Sequence, residues 1–178
     1  MYTSGTTGLP KGAMLTHGNV FWNSINVCFG EDGVSGTTLT CAPLFHIGGL
    51  NVTTLMSLSK GVEVVLLRSF DAGQVLSLIE KHRVTTMFGA PTMFLMMVQD
   101  ESFASTDLSS IATLTCGGAP VPVPLIKTYG ERGITFCQGY GLTETAPFAS
   151  LLASDQAMAK VGSAGKAPMF TEVRIVDE

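Results

Sequence analysis

At 178 residues with a net charge of −4, the chain is long enough for one sizeable α/β unit and short for two. It carries none of the clustered Lys and Arg excess that neutralising a phosphate backbone takes, which argues against any nucleic-acid partner. No apolar run reaches the roughly 18 residues that span a bilayer, and the first residues lack the basic-then-apolar order of a signal peptide; no transmembrane segment and a cytoplasmic location are the expectation. Charged residues make up only 13% and hydrophobic residues 46%, a charged share about half the usual one. That balance suits one part of a larger protein whose other parts cover its faces. Cys28, Cys41, Cys116 and Cys137 are widely spaced with no CxxC pair, so they read as buried thiols rather than a zinc or redox motif.

The first segment, "YTSGTTGLPKG" (2–12), packs five hydroxyl side chains, three glycines, a proline and a lysine into eleven residues. Such a loop turns successive backbone N–H groups inward and adds hydroxyl donors, making a concave anion site that suits a triphosphate. Lys11 adds a mobile point charge. The spacing is not G-x-x-x-x-G-K-[ST], because Gly12 follows the lysine where a magnesium-binding hydroxyl would stand, which disfavours an ordinary P-loop NTPase. A flexible Ser/Thr/Gly linker shares the composition but not the compact Pro10-Lys11-Gly12 order running directly into a helical segment.

Beyond it, helices are expected over 17–29, 48–59, 92–100 and 122–132, with Pro91 and Pro122 suited to first-turn positions. A further helix in "FDAGQVLSLIEKHR" has Val75, Leu78, Ile79 and His82 on one face, with Asp71 and Gln74 placed to cap its start. His17 and His82 read as structural. Between the helices, "TTLTCAP" (37–43), "VEVVLL" (62–67), "VTTMFGAP" (84–91), "IATLTCGGAP" (111–120) and "ITFCQGYG" (134–141) are continuous apolar, β-branched runs, as in strands buried on both faces. The expected fold is α/β, a mainly parallel sheet flanked by helices on both sides. After residue 148, "FASLLA", "KVGSAGKAP" and "TEVRIVDE" read as short strands of an antiparallel β appendage, dividing the chain into an α/β subdomain (1–148) and the start of a β-rich one (149–178). Ala42-Pro43, Gly89-Ala90-Pro91, Gly117-Gly118-Ala119-Pro120 and Gly139-Tyr140-Gly141 end the strands in small or turn-forming residues. Tight turns account for any one of them; together they point to a ligand crevice at the carboxyl ends.

"YTSGTTGLPKGAMLTHGN" resembles the phosphate-binding motif of the adenylate-forming superfamily, which includes acyl- and aryl-CoA synthetases, peptide-synthetase adenylation domains and firefly luciferases. "GYGLTETAP" (139–147) resembles its second diagnostic motif, and "PLFHIGGL", "GAPTMF", "CGGAPV" and "VGSAGKAPMFTEVRIVD" follow in the family's order, so the resemblance covers essentially the whole chain. It implies a carboxylate attacking the α-phosphorus of ATP, loss of pyrophosphate, and transfer of the acyl group from AMP to a thiol, commonly coenzyme A. By resemblance, Thr3, Ser4, Gly5, Thr6, Thr7, Gly8 and Lys11 grip the β- and γ-phosphates, Thr143 bonds the α-phosphate, and Glu144 is a ligand of Mg2+. Gly117, Gly118 and Ala119 lie along the adenine, Gln138 reaches its amino group, and Tyr140 packs on the ring between Gly139 and Gly141.

His46 borders the carboxylate in relatives, where it orients the acid or gates the thiol; a structural histidine is the equal alternative. Read bare, Glu144 is a solvated surface acid and Tyr140 a strand-end tyrosine. Phe45, Gly89, Met93, Gly118 and Gly141 would line the acyl pocket for a fatty or aromatic carboxylic acid. The run "MFLMM" (93–97) is either adaptable acyl surface or helix core.

Relatives also carry a long segment before the phosphate motif and, after the last motif here, a ribose-binding aspartate, a hinge arginine and a small domain bearing the adenylation lysine. The chain thus resembles the central part of their large domain, cut within the strand that feeds the phosphate loop, and is expected to be inactive or nearly so alone. The other readings are a non-catalytic nucleotide-binding or interaction fragment, dimerising through faces its neighbours would cover, and a peptide-synthetase adenylation domain. The latter is disfavoured because "FHIGGL" and "FGAPTMF" hold no aspartate to pair with an amino group.

Overall fold

The computed structural model describes residues 1–4, 8–29 and 35–177. A two-stranded antiparallel hairpin opens the chain, β1 (Tyr2–Thr3) against β2 (Lys11–Gly12), with Thr3 opposite Lys11. Residues 13–16 separate it from helix α1 (His17–Cys28), so the helix does not follow Gly12 directly. Thr16 sets the helix start: its hydroxyl accepts from the Asn19 N–H at 3.1 Å, and its own N–H donates to Asn19 Oδ1 at 2.9 Å, satisfying two groups that the first turn leaves without helical partners.

Strand β3 (Thr37–Thr40) follows, then two short helices, α2 (Ile47–Asn51) and α3 (Thr54–Ser59). The sequence predicts one helix here, 48–59. It breaks because Thr54 turns its hydroxyl onto the Gly49 carbonyl at 2.7 Å, a local bond that competes with the helical ladder. Strand β4 (Val64–Leu66) leads to α4 (Ala72–His82), which Asp71 caps by accepting from the Gln74 N–H at 2.8 Å. Leu76, rather than Leu78, joins Val75 and Ile79 as fully buried on this helix. Next come β5 (Val84–Gly89), α5 (Pro91–Gln99, with the proline in its first turn), β6 (Thr113–Gly117), α6 (Val123–Gly130), β7 (Phe136–Gly141) and β8 (Phe148–Leu152). Pro122 sits at the cap of α6, one residue before the first turn.

Six strands form one sheet in the order β4-β3-β5-β6-β7-β8. The first five are parallel and β8 is antiparallel to β7. "FASLLA" is therefore the sixth strand of the main sheet, so residues 148–152 join the body of the fold across the expected subdomain division at 148. "KVGSAGKAP" and "TEVRIVDE" form no strand among the described residues beyond a single bridge from Lys166 to Leu151. Their chain is turned at Gly162 and Gly165, both at φ +82°, and 171–177 finds no strand to pair with.

Alternation along the strands separates two faces. Leu39, Leu114, Cys116 and Phe136 enter one apolar core with Val75, Leu76 and Ile79 of α4, Phe94 and Met97 of α5, and Leu125, Ile126 and Tyr129 of α6. Phe94, Tyr129 and Phe136 pack edge to face, centroids 5.0–6.0 Å apart, and each such fully buried ring contributes about 1.5–3 kcal/mol by burial. The opposite face is lined with hydroxyls. Thr38 meets Ser57, and Thr40 meets Thr54, each at 2.8 Å across to α3. Helices thus cover both faces of the sheet.

Candidate functional site

The parallel strands run to one edge, and their order reverses once: the chain steps from β3 outward to β4, then returns past β3 to β5. The crevice beyond the carboxyl ends at such a reversal is where open α/β sheets hold ligands. After β3 the chain turns through Pro43 and Phe45 to His46, which caps α2, its Nδ1 accepting from the Gly48 N–H at 3.1 Å. With Nδ1 engaged as acceptor, the neutral ring carries its proton on Nε2. His46 and Phe45 are exposed. Gly48 lets this loop lie on β5: a β-carbon there would stand 2.7 Å from the Phe88 ring. At Gly89, a β-carbon would stand 3.1 Å from the Phe94 ring. Met93 accepts the Ala90 N–H on its sulfur at 3.4 Å. Of the run 93–97, Phe94 and Met97 are core while Leu95 and Met96 face outward.

The two segments expected along the adenine lie side by side, because β6 and β7 are adjacent and in register, Cys116 opposite Gln138 and Gly117 opposite Gly139. Gly118 has φ +85° with open space around it, a backbone that side chains other than glycine adopt at a cost. Ala119 and Tyr140 are exposed, while Gln138 is buried with its Nε2 lacking any partner. An orphaned buried donor is costly; the expected contact with an adenine amino group would use the amide oxygen rather than this nitrogen. Gly141 is required for another reason: a β-carbon would collide with the Pro147 carbonyl at 1.7 Å.

Directly after β7, a single 3-10 turn, Thr143–Thr145, presents Thr143 half-exposed and Glu144 exposed. Thr145 ties the turn together, accepting the Leu142 N–H at 2.8 Å and contacting the Pro147 carbonyl. Ala146 closes it in the left-handed region, φ 66°. Among the described residues no group of three or more His, Cys, Asp or Glu gathers to hold a metal. A cation held here by Glu144 alone must complete its shell with water and phosphate oxygens, which is how Mg2+ is ordinarily held. The donor set fits.

The hairpin presents Ser4, Gly8 and Lys11 exposed and Thr3 half-exposed, with the Thr3 hydroxyl donating to the Lys11 carbonyl at 3.4 Å. Gly5, Thr6 and Thr7 lie outside the described residues. Among those described, Lys11 shares no ion pair with Glu144. A cavity of about 530 Å³ lies elsewhere, against Thr113, Thr115 and Cys137 on the hydroxyl-lined face, and none of the expected site residues lines it. The strand ends that carry the expected site residues form instead an open shelf.

Away from that shelf, burial pushes the Cys41 and Cys116 thiols up to about 12; Cys28 and Cys137 are half-buried. Two residues the sequence reading passed over shape the shelf: Thr145, the tie of the turn, and Asn51, buried beneath it. Asn19, Asn23 and Asn26, spaced four and three apart in α1, were the legible sign of a polar seam on this side of the sheet.

A family model described as "AMP-binding enzyme" matches residues 1–178. A feruloyl-CoA synthase from an Amycolatopsis species is 50% identical over 98% of this chain and 36% of its own length. An indoleacetate–CoA ligase from Aromatoleum aromaticum is 42% identical over 99% of this chain and 35% of its own. Among solved structures, o-succinylbenzoate CoA synthetase from Bacillus subtilis in complex with ATP and magnesium ion superposes with TM-score 0.90 at 35% identity, covering 100% of this chain and 37% of that one. The chain thus spans about a third of the length of the curated relatives it matches.

Proposed function

We propose, from the premise that this chain belongs to the AMP-binding enzyme family, that it supplies the nucleotide- and acyl-binding shelf of an ATP-dependent acid:CoA ligase working through an acyl-adenylate. The observation that carries this reading is the register of β6 with β7: it sets Gly117-Gly118-Ala119 beside Gln138–Gly141 and runs straight into the Thr143–Glu144 turn. A planar base on the paired glycine segments leaves its phosphates toward the hydroxyl and carboxylate of that turn. Gln138, through its amide oxygen, would fix the base edge, and Tyr140 would cover a ring face.

Mg2+, when bound through Glu144, supplies charge neutralisation to the phosphates. The chain's own residues do the rest. Thr3, Ser4, Gly8 and Lys11, with Gly5, Thr6 and Thr7, would hold the β- and γ-phosphates, and Thr143 the α-phosphate, where charge develops as the carboxylate attacks and pyrophosphate leaves. His46 would border the incoming acid, its Nε2–H donating toward a carboxylate oxygen. The acid would enter past Phe45, Gly89 and Met93, with coenzyme A taking the acyl group in the second step.

The substrate class we favour is an acid carrying an aromatic ring. Relatives named for ferulate and indoleacetate, two such acids, match this chain at 50% and 42% identity. The exposed Leu95 and Met96 beside Met93 support a fatty acid as the second reading.

Carboxylate-dependent ATP–pyrophosphate exchange tests the proposal, run on this chain and on the longest natural chain containing it, with aryl, fatty and amino acids offered separately. Exchange with an aryl acid is expected from the longer chain, and little or none from residues 1–178. Exchange only with an amino acid moves the substrate to the peptide-synthetase class. A folded, ATP-binding long chain that exchanges with no acid overturns the ligase and leaves a nucleotide-binding module.

A further inference from the structure

We propose that Asn51 is a positioning residue for the Thr143–Glu144 turn, holding it from beneath through the Ala146 carbonyl. The inference rests on the ligase reading above for its kinetic consequence, and on geometry alone for the mechanical one.

Asn51 ends the five-residue helix α2, and its side chain is 1% exposed. Its Nδ2 donates to the carbonyl of Ala146 at 3.3 Å, across 95 residues of chain. Ala146 is the residue whose left-handed backbone closes the turn, its own N–H donating back to the Thr143 carbonyl at 3.3 Å. Fixing the Ala146 carbonyl therefore fixes the peptide plane from which the turn is suspended. Asn51 is itself held, since Asn23 of α1, 5% exposed, donates to the Asn51 carbonyl at 2.7 Å. Both amides are buried, and the side-chain nitrogen of each has a carbonyl acceptor.

The same α1 face reaches the other way. Asn26 donates to the Thr171 hydroxyl at 3.0 Å and accepts the Phe170 N–H at 2.8 Å. The asparagines of α1 thus tie the Phe170–Thr171 segment on one side and, through Asn51 of α2, the turn on the other.

Helix α2 has His46 at its other end. One rigid strut consequently joins the residue placed at the carboxylate to the turn placed at the phosphates, and their separation is set by the helix. Asn51 Oδ1 is buried with no partner, so the amide keeps an unmet acceptor in order to place its donor. A side chain retained at that cost is worth testing for function, since an apolar residue would avoid it.

Two variants separate positioning from bulk stability. Asn51→Asp is isosteric and sets an acceptor against the Ala146 carbonyl; Asn51→Ala removes the contact. In the longest natural chain, the KM for Mg·ATP in pyrophosphate exchange is expected to rise about tenfold, equivalent to losing one hydrogen bond's worth of binding, while the KM for the acid changes less than twofold. Amide hydrogen exchange over 142–147, measured without substrate, is expected to quicken while β6 and β7 keep their protection.

Equal changes in both KM values, or quicker turn exchange with an unchanged KM for Mg·ATP, overturns the positioning role. If the parent chain exchanges pyrophosphate with no acid, the ligase reading fails by itself. The amide measurement then decides: unaltered protection at 142–147 in both variants overturns the inference, and selective loss there supports it.

Discussion

Gly139 and Phe148 lie so close on neighbouring antiparallel strands that a β-carbon on Gly139 would stand 2.2 Å from Cε1 of the phenylalanine ring. The glycine expected from the sequence to lie against a ligand is required first by its neighbour. Gly139→Ala is therefore expected to destabilise the fold by about 1–3 kcal/mol through overpacking, read as a lower urea midpoint. Phe148→Leu should restore most of it. Gly118→Ala, set in open space at φ +85°, should cost about 1–2 kcal/mol for its backbone alone, and Phe148→Leu should not rescue it.

Glu144 is exposed and shares no ion pair among the described residues. Glu144→Gln should leave stability within about 0.5 kcal/mol. In the longest natural chain it should lower pyrophosphate exchange on the order of 100-fold, the equivalent of about 3 kcal/mol of transition-state stabilisation, and raise the magnesium concentration needed. Unchanged magnesium dependence would remove Glu144 from the metal role.

His46 separates two roles by substitution. His46→Asn keeps an acceptor for the Gly48 N–H and loses the Nε2–H; His46→Ala loses both. If the ring orients the acid, both variants raise the KM for the acid, and only His46→Ala also lowers thermal stability, by about 1 kcal/mol as for a lost cap. A histidine that serves only as a cap gives a normal KM in His46→Asn.

Cys41 and Cys116 make alkaline stability a readout of the core. Burial raises both thiols from 9 to about 12, and it raises the Tyr129 phenol as well. Below pH 9 folded and unfolded chains both keep these protons. Between 9 and 12 the unfolded chain releases protons that the folded chain retains, so stability falls as pH rises. Each thiol contributes up to about a tenfold change in the folding equilibrium per pH unit. Urea midpoints should stay level from pH 8 to about 9 and fall from there to 10.5, and Cys41→Ala with Cys116→Ala should flatten that fall.

The parallel strands were legible because they are continuous β-branched runs, and α4 because its apolar spacing and the Asp71 cap agree. The register that sets Gly117 beside Gly139 was not, since a motif orders residues along a chain without saying which strands are neighbours. The break between α2 and α3 escaped because it depends on where one hydroxyl, that of Thr54, points. "TEVRIVDE" misled: its β-branched content favours a strand, but propensity forms none without a partner. Asn51 was invisible for a related reason. The sequence places Asn51 inside one expected helix over 48–59, and only the return of the chain 95 residues later gives its amide an object.

The paired hydroxyls between the sheet and α3 have a consequence for how this face assembles. Ser57 donates its proton to the Thr53 carbonyl at 2.7 Å and Thr54 donates its own to Gly49, so each must accept from the strand, Ser57 from Thr38 and Thr54 from Thr40. The proton directions are thereby settled. An apolar helix face tolerates a slip of one turn, about 5.4 Å, at little loss. Here the same slip strands two buried hydroxyls, at about 1–3 kcal/mol each. The helix is keyed to its strand like the teeth of a lock, and α2, joined to it through Thr54 and Gly49, can be set in only one place.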